Sequence, residues 1–144
     1  SCMARKITDN FSDVEVLPKE YHGRKWEIFI DKRIVEIAQE IRNVFGSITI
    51  NDKSIGGNYN LSGWRPFDCK IGAKHSSHKF GRGLDLKFNT KGVDPILVQD
   101  YILKNQERFL ELGLTRLENA EITRTWLHID CSSTGLDRIY VFNP

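Results

Sequence analysis

The sequence is short of cysteine, has no long apolar run and carries almost no excess of either charge, and each lack removes a class of protein. Its three cysteines, Cys2, Cys69 and Cys131, are an odd number without a C-x-x-C spacing. That excludes a disulfide framework and a cysteine zinc ribbon and leaves reduced thiols as the expectation. No stretch approaches the roughly 18–20 apolar residues that cross a bilayer, so no membrane span is expected. The opening Ser-Cys-Met-Ala-Arg-Lys lacks the apolar core of a signal peptide. Ser1 and Cys2 stand ahead of the only methionine, Met3, a start that leaves a trimmed leader open. Lys and Arg number 21 against 19 Asp and Glu, a net charge of +2. This is too small and too evenly mixed for an electrostatic nucleic-acid footprint, so no nucleic-acid partner is expected. Internal repeats, Pro-rich linkers and low-complexity runs are also missing.

What is present is 144 residues, 40% hydrophobic and 28% charged. These proportions predict one globular domain over residues 1–144, expected to be monomeric. Residues 1–25 show no clear period and read as an irregular segment anchored by Leu17, Pro18 and Tyr21. From Asp31 to Phe45, Ile34, Ile37, Ala38, Ile41 and Phe45 recur at helical spacing, with Asp31 as N-cap and Gly46 as stop. Residues 47–51 alternate like a half-buried strand. Residues 84–88 alternate too, with the apolar side chains on one face and Asp85 and Lys87 on the other. Asp94-Pro95 opens a helix that runs to Gly113. Residues 125–130 and 138–142 are the last strands. Their connection is too short for a crossover helix, which predicts an α+β fold: a small antiparallel sheet with helices packed on one side.

The chemistry concentrates in Ser76-Ser77-His78-Lys79-Phe80-Gly81-Arg82-Gly83-Leu84-Asp85, where a His and an Asp bracket a glycine turn leading into a strand. Imidazole and carboxylate are both zinc ligands, and the glycines let the backbone bring them together. In Trp126-Leu127-His128-Ile129-Asp130, strand alternation puts His128 and Asp130 on one face. His78, Asp85 and His128 thus make the three-ligand set of a catalytic zinc site with one open position. Taken singly, Asp85 also reads as a salt-bridge residue and His128 as a hydrogen-bonded core histidine. His75 could replace His78, at a less regular distance from Asp85.

Ser76-x-His78-x-x-Gly81-x-Gly83-x-Asp85 resembles the Ser-x-His-x-x-Gly-x-Ala-x-Asp signature of the zinc peptidases that include D-Ala-D-Ala carboxypeptidases and dipeptidases, phage L-alanyl-D-glutamate endolysins and related peptidoglycan endopeptidases. These share the hedgehog/DD-peptidase fold. Gly83 stands where the family has Ala, a small-for-small change expected to keep the packing. Ser62-Gly63-Trp64-Arg65-Pro66 is similar to the family's Ser-Gly-Tyr-Arg segment, which implies that Arg65 binds substrate near the scissile bond. Ser76 matches a serine that can hydrogen-bond substrate, and Trp64, adjoining Arg65, is expected to line the groove.

The resemblance implies a Zn2+ cofactor, a peptidoglycan stem peptide or cross-link as substrate, and action at the bacterial cell wall, as a phage lysin or a domain cut from an exported protein. One position departs from it. Many relatives carry a Glu, some a His, three residues before the last ligand as general base, and here Thr125 stands there. Asp130, on the face of His128, is the first alternative, although a carboxylate there can equally orient the ligand. Glu118 and Glu121 are the others. The lack of a base motivates a second reading, a zinc-containing cell-wall-binding or interaction domain without hydrolysis.

Overall fold

Asp31 opens the longest helix as expected: its carboxylate accepts from the Arg33 N–H at 3.0 Å, and Gly46, at φ 88°, ends it. In the computed structural model, which describes residues 3–144 and so leaves Cys2 outside, this helix is α2, Lys32–Phe45. A single earlier turn, α1 (Asp13–Val16), was hidden in the segment read as irregular. Its signal was the Ser12-x-x-Glu15 pair, and the Ser12 N–H donates to Glu15 Oε2 at 2.8 Å. The helix expected from Asp94 to Gly113 is two helices, α3 (Pro95–Lys104) and α4 (Gln106–Leu112). Asn105 breaks it, leaving helical geometry at φ −119° and ψ 30° while its side-chain amide donates to the Tyr101 carbonyl.

The strands are β1 (Ile48–Thr49), β2 (Gly83–Phe88), β3 (Arg116–Glu118), β4 (Leu127–Asp130) and β5 (Tyr140–Phe142). They form one sheet in the order β1-β2-β4-β3-β5, and with the helices an α+β fold. The expectation of an antiparallel sheet holds for β1–β2, β2–β4 and β3–β4, but β5 pairs parallel to β3. Both edges of β4 are already taken by β2 and β3, so residues 131–139 carry the chain past β3 to its free edge. β3 itself is too short to show a period.

Alternation then decides what each sheet face holds. Leu84, Leu86, Leu117, Leu127 and Ile129 are fully buried and join Ile34, Ile37, Ala38 and Ile41 of α2 and Val98 and Ile102 of α3 in one core. Asp85, Lys87, Arg116, Glu118, His128 and Asp130 therefore point to the opposite face. The loop of residues 50–82 covers that face. It is pinned where the Asp85 N–H donates to the Ser62 carbonyl at 2.8 Å and the Trp64 N–H to the Val16 carbonyl at 2.8 Å. Gly63 is required there, because a Cβ would lie 2.2 Å from the Val16 oxygen.

Candidate metal centre

Three strands and a turn converge on the polar face. The register sets Asp85 directly opposite His128 across the β2–β4 ladder, close enough for side chains to touch. His78 comes from a 3-10 turn, Ser77–Phe80, capped by Ser76, whose hydroxyl accepts from the His78 N–H at 3.3 Å. Gly81 then lets the chain enter β2: its φ is 70°, and a Cβ would meet the Phe29 oxygen at 1.9 Å.

Each ring is held in one tautomer by its outer partner. His78 Nδ1 faces the Gly63 carbonyl at 2.8 Å, so it carries the hydrogen and leaves the Nε2 lone pair free. His128 Nε2 donates to Asp130 Oδ2 at 2.8 Å, so Nδ1 is the nitrogen turned to the centre. Ser77 Oγ lies 3.2 Å from the same Nε2. Asp85 turns Oδ2 to Arg65 Nη2 at 3.3 Å and Oδ1 to the imidazoles. The three inner atoms form a triangle: His78 Nε2 to Asp85 Oδ1 3.2 Å, His128 Nδ1 to Asp85 Oδ1 2.9 Å, and His128 Nδ1 to His78 Nε2 3.2 Å. Tetrahedral zinc with bonds of about 2.0–2.1 Å spaces its ligand atoms about 3.3–3.4 Å apart, so the triangle needs little expansion. This buried His-Asp-His group could hold a metal ion, and its mixed nitrogen and oxygen donors suit a divalent transition metal.

The charge state of the group without a metal follows from its neighbours. Burial pushes His78 down, against the charge of Asp85, and it is neutral. Burial also disfavours the His128 cation, yet the hydrogen bonds its ring donates to Asp130 and Asp85, with their charges, outweigh it and raise its pKa from 6.5 to about 9. Burial raises Asp85, but the imidazoles outweigh this and hold its carboxyl far below the usual range. A pKa raised in this way stabilises the metal-free fold below pH 6.5, and that contribution is lost as pH rises through about 9. Metal binding has the opposite dependence, because the ion must displace the His128 proton. Apparent affinity should climb about tenfold per pH unit and level off once pH passes the folded His128 value. Calorimetric titration of zinc in buffers of different ionisation heat near neutral pH should give about one proton released per ion; none released would contradict this protonation state.

The other expected site residues fall in different places. Arg65 is at the centre, its Nε donating to the Leu61 carbonyl at 2.7 Å and its guanidinium on Asp85. Ser76 caps the His78 turn. Trp64 does not line a groove: it is 7% exposed and packs against Tyr21 and Phe29 at ring separations of 4.9 and 4.6 Å. Tyr21 comes from the segment read as irregular and Phe29 from just beyond it, both more than 30 positions before Trp64, so their approach could not be seen locally. His75 is exposed and outside the triangle. Gly83 is more than a small-for-small replacement, since a Cβ would stand 2.3 Å from Ser77 Oγ and 3.0 Å from His128 Cε1.

Asp130 is misplaced for a general base. It is fully buried on the far side of His128, gripped by Arg116 Nε and Nη2 at 2.9 and 2.8 Å and by the Ser132 N–H at 3.2 Å. A carboxylate so engaged orients His128 and has no path to a water on the triangle's open side. Glu121 sits on the exposed turn, paired with Arg124 at 3.5 Å. Glu118 is different. Arg116 pairs with Asp130 and Leu117 with Ile129, so the next rung brings Glu118 beside His128 on the same face. Burial raises its carboxyl against the pull of the His128 charge, and Asp85 raises it further. Sequence reading missed Gly63, Ser77 and Arg116 as supports. Gly63, in the Ser62–Pro66 segment, and Ser77, at an open position of the signature, lay in motifs already noted; Arg116 gave no local sign.

Among the described residues, no helix is long and apolar enough to cross a membrane. No protein-family model, curated protein or solved structure matches the chain.

Proposed function

We propose that the chain is a zinc metallopeptidase that hydrolyses a peptide bond in peptidoglycan stem peptides or cross-links at the bacterial cell wall. The observation that carries this reading is the donor triangle of His78, Asp85 and His128, with every outer atom engaged and the inner atoms close to tetrahedral spacing. Its likeness to the D-Ala-D-Ala carboxypeptidase and endolysin signature supplies the substrate class. Zinc at such a site acidifies a water and polarises a carbonyl. His78, Asp85 and His128 would hold it, with Asp130 and the Gly63 carbonyl keeping both rings aimed inward. Arg65, fixed by Leu61 and Asp85, offers its remaining N–H groups to a substrate carbonyl or carboxylate. Glu118 takes the proton from the attacking water and returns it to the departing amine, the role that Thr125 cannot fill.

The test is release of peptides or amino acids from purified peptidoglycan, followed by mass spectrometry, with zinc content measured in parallel. Defined products that vanish with chelator and return with zinc are expected. Stoichiometric zinc with no product on any muropeptide would instead favour the second reading, a binding domain without hydrolysis, which Thr125 motivates. A chain that takes up no zinc would remove both.

A further inference from the structure

The positive charge of the chain gathers in one segment, and the metal centre leaves most of it unused. Residues 67–82 carry Lys70, Lys74, Lys79 and Arg82 against Asp68 alone, a surplus of three, while the whole chain has a net charge of +2. The same segment exposes three bulky apolar side chains, Phe67 at 67%, Ile71 at 58% and Phe80 at 50%. Phe67 and Phe80 meet edge to face with ring centroids 5.5 Å apart, so the two ends of the segment share one aromatic patch. Lys70, Lys74 and Arg82 are exposed and form no ion pair among the described residues. Asp31, close enough to feel the Arg82 charge, is taken by Arg33 at 2.7 Å. The loop is held in shape: the Cys69 N–H donates to the Pro66 carbonyl at 3.0 Å and the Ser76 N–H to the Ala73 carbonyl at 3.2 Å. Lys79, 4% exposed, reaches back to donate from Nζ to the Lys74 carbonyl at 3.2 Å. Gly72, at φ 80°, packs so closely on Arg65 that a Cβ would stand 2.7 Å from Nη1. A surface already ordered loses little conformational entropy when it docks.

We propose that residues 67–82 dock the domain on an anionic lipid surface, with Phe67, Ile71 and Phe80 entering the headgroup layer and Lys70, Lys74 and Arg82 resting on lipid phosphates. Two properties of the segment select this occupant. Charge complementarity calls for an anionic partner, and exposed apolar side chains among the cations call for one with an apolar interior. A soluble phosphate polymer meets the first demand and leaves the aromatic pair in water. A bilayer surface meets both, because aromatic rings settle at headgroup level and long basic side chains lay their stems along apolar surface with the charge outward. Lys79, set behind the exposed cations with no carboxylate on it, adds to the field at that surface. Near an anionic leaflet each Lys or Arg strengthens partitioning by about fivefold. The rest of the chain carries a slight negative excess, which turns this face toward the membrane. His78 belongs to the same turn as Phe80, so docking sets the metal centre close to the bilayer whether or not it hydrolyses peptides.

The experiment sediments the full chain with sucrose-loaded vesicles of phosphatidylcholine alone and of phosphatidylcholine mixed equally with phosphatidylglycerol, at low and high salt. Binding to the anionic vesicles should be tighter by about tenfold or more and should weaken as salt rises. Lys70→Gln with Lys74→Gln should cut that binding by about tenfold or more. Phe67→Ser with Ile71→Ser should cut it by about tenfold or more while leaving the salt dependence in place. These four side chains are at the surface, so the circular dichroism spectrum and any zinc content should stay as in the parent chain. Phe67→Trp gives a second readout: brominated lipid in the anionic vesicles should quench the added indole beyond any quenching of the three native tryptophans. Equal binding to the two vesicles, binding to neither, or no quenching of the added indole overturns the proposal. Soluble polyphosphate that displaces the vesicles, with the Phe67→Ser, Ile71→Ser chain binding as the parent does, would assign the cations to a phosphate polymer and overturn it too. None of these readouts depends on zinc or on peptide release, so the docking surface and the peptidase reading stand or fall separately.

Discussion

Replacing His128 with Ala should leave the chain without stoichiometric zinc at micromolar metal and reduce peptide release to background. The triangle has three donors, so losing one removes a third of the coordination. Structural zinc sites bind with about 10–16 kcal/mol, or about 3–4 kcal/mol per ligand, so the expected loss of affinity is about 10²–10³-fold or more. The fold should survive, because Asp130 keeps its paired contacts to Arg116 and its bond from Ser132. Asp130→Asn is the informative companion. It preserves the inner donors but weakens the group that fixes the His128 tautomer, and loss of such outer partners costs about 10–100-fold in metal affinity or activity. Zinc content after dialysis against a graded chelator series separates the two. Full zinc occupancy in His128→Ala would show that the ion sits elsewhere.

Glu118→Gln should lower kcat by about 10²–10⁴-fold, the usual contribution of a positioned base, while zinc stoichiometry stays at the wild-type level. The amide keeps the shape of the side chain and its place on the rung beside His128, so only proton transfer is lost. The acid limb of the kcat/KM profile should disappear with it, and Glu118→Asp should restore part of the rate. A purely structural role would leave that limb in place. Wild-type kcat in Glu118→Gln would exclude Glu118 and return the question to water relayed through another group.

How much of this was legible in the chain follows from how far each determinant reaches. The α2 helix was readable end to end, because its cap at Asp31, its apolar spacing and its stop at Gly46 are all local. The faces of β2 and β4 were readable as well, since alternation alone puts Asp85 beside Lys87 and His128 beside Asp130. The donor types that suit a divalent transition metal were likewise chosen by residue chemistry. The Asn105 break needed knowledge of an amide turning back on its own helix. The parallel edge at β5 depended on β4 being paired on both sides, which no window around residues 140–142 contains.

The site divides along the same line. The sequence by itself determined that His78, Asp85 and His128 were candidates of one kind of chemistry, because spacing and donor type are written in the residues. Only the tertiary structure decided that Asp85 and His128, 43 positions apart, share a rung, that Asp130 orients His128 from behind, and that Glu118 lies alongside. It also placed Trp64 in the core and left Trp126 at the surface. The reason is physical: periodicity and capping act over a few residues, whereas pairing register and burial are set by the collective packing of segments far apart in the chain.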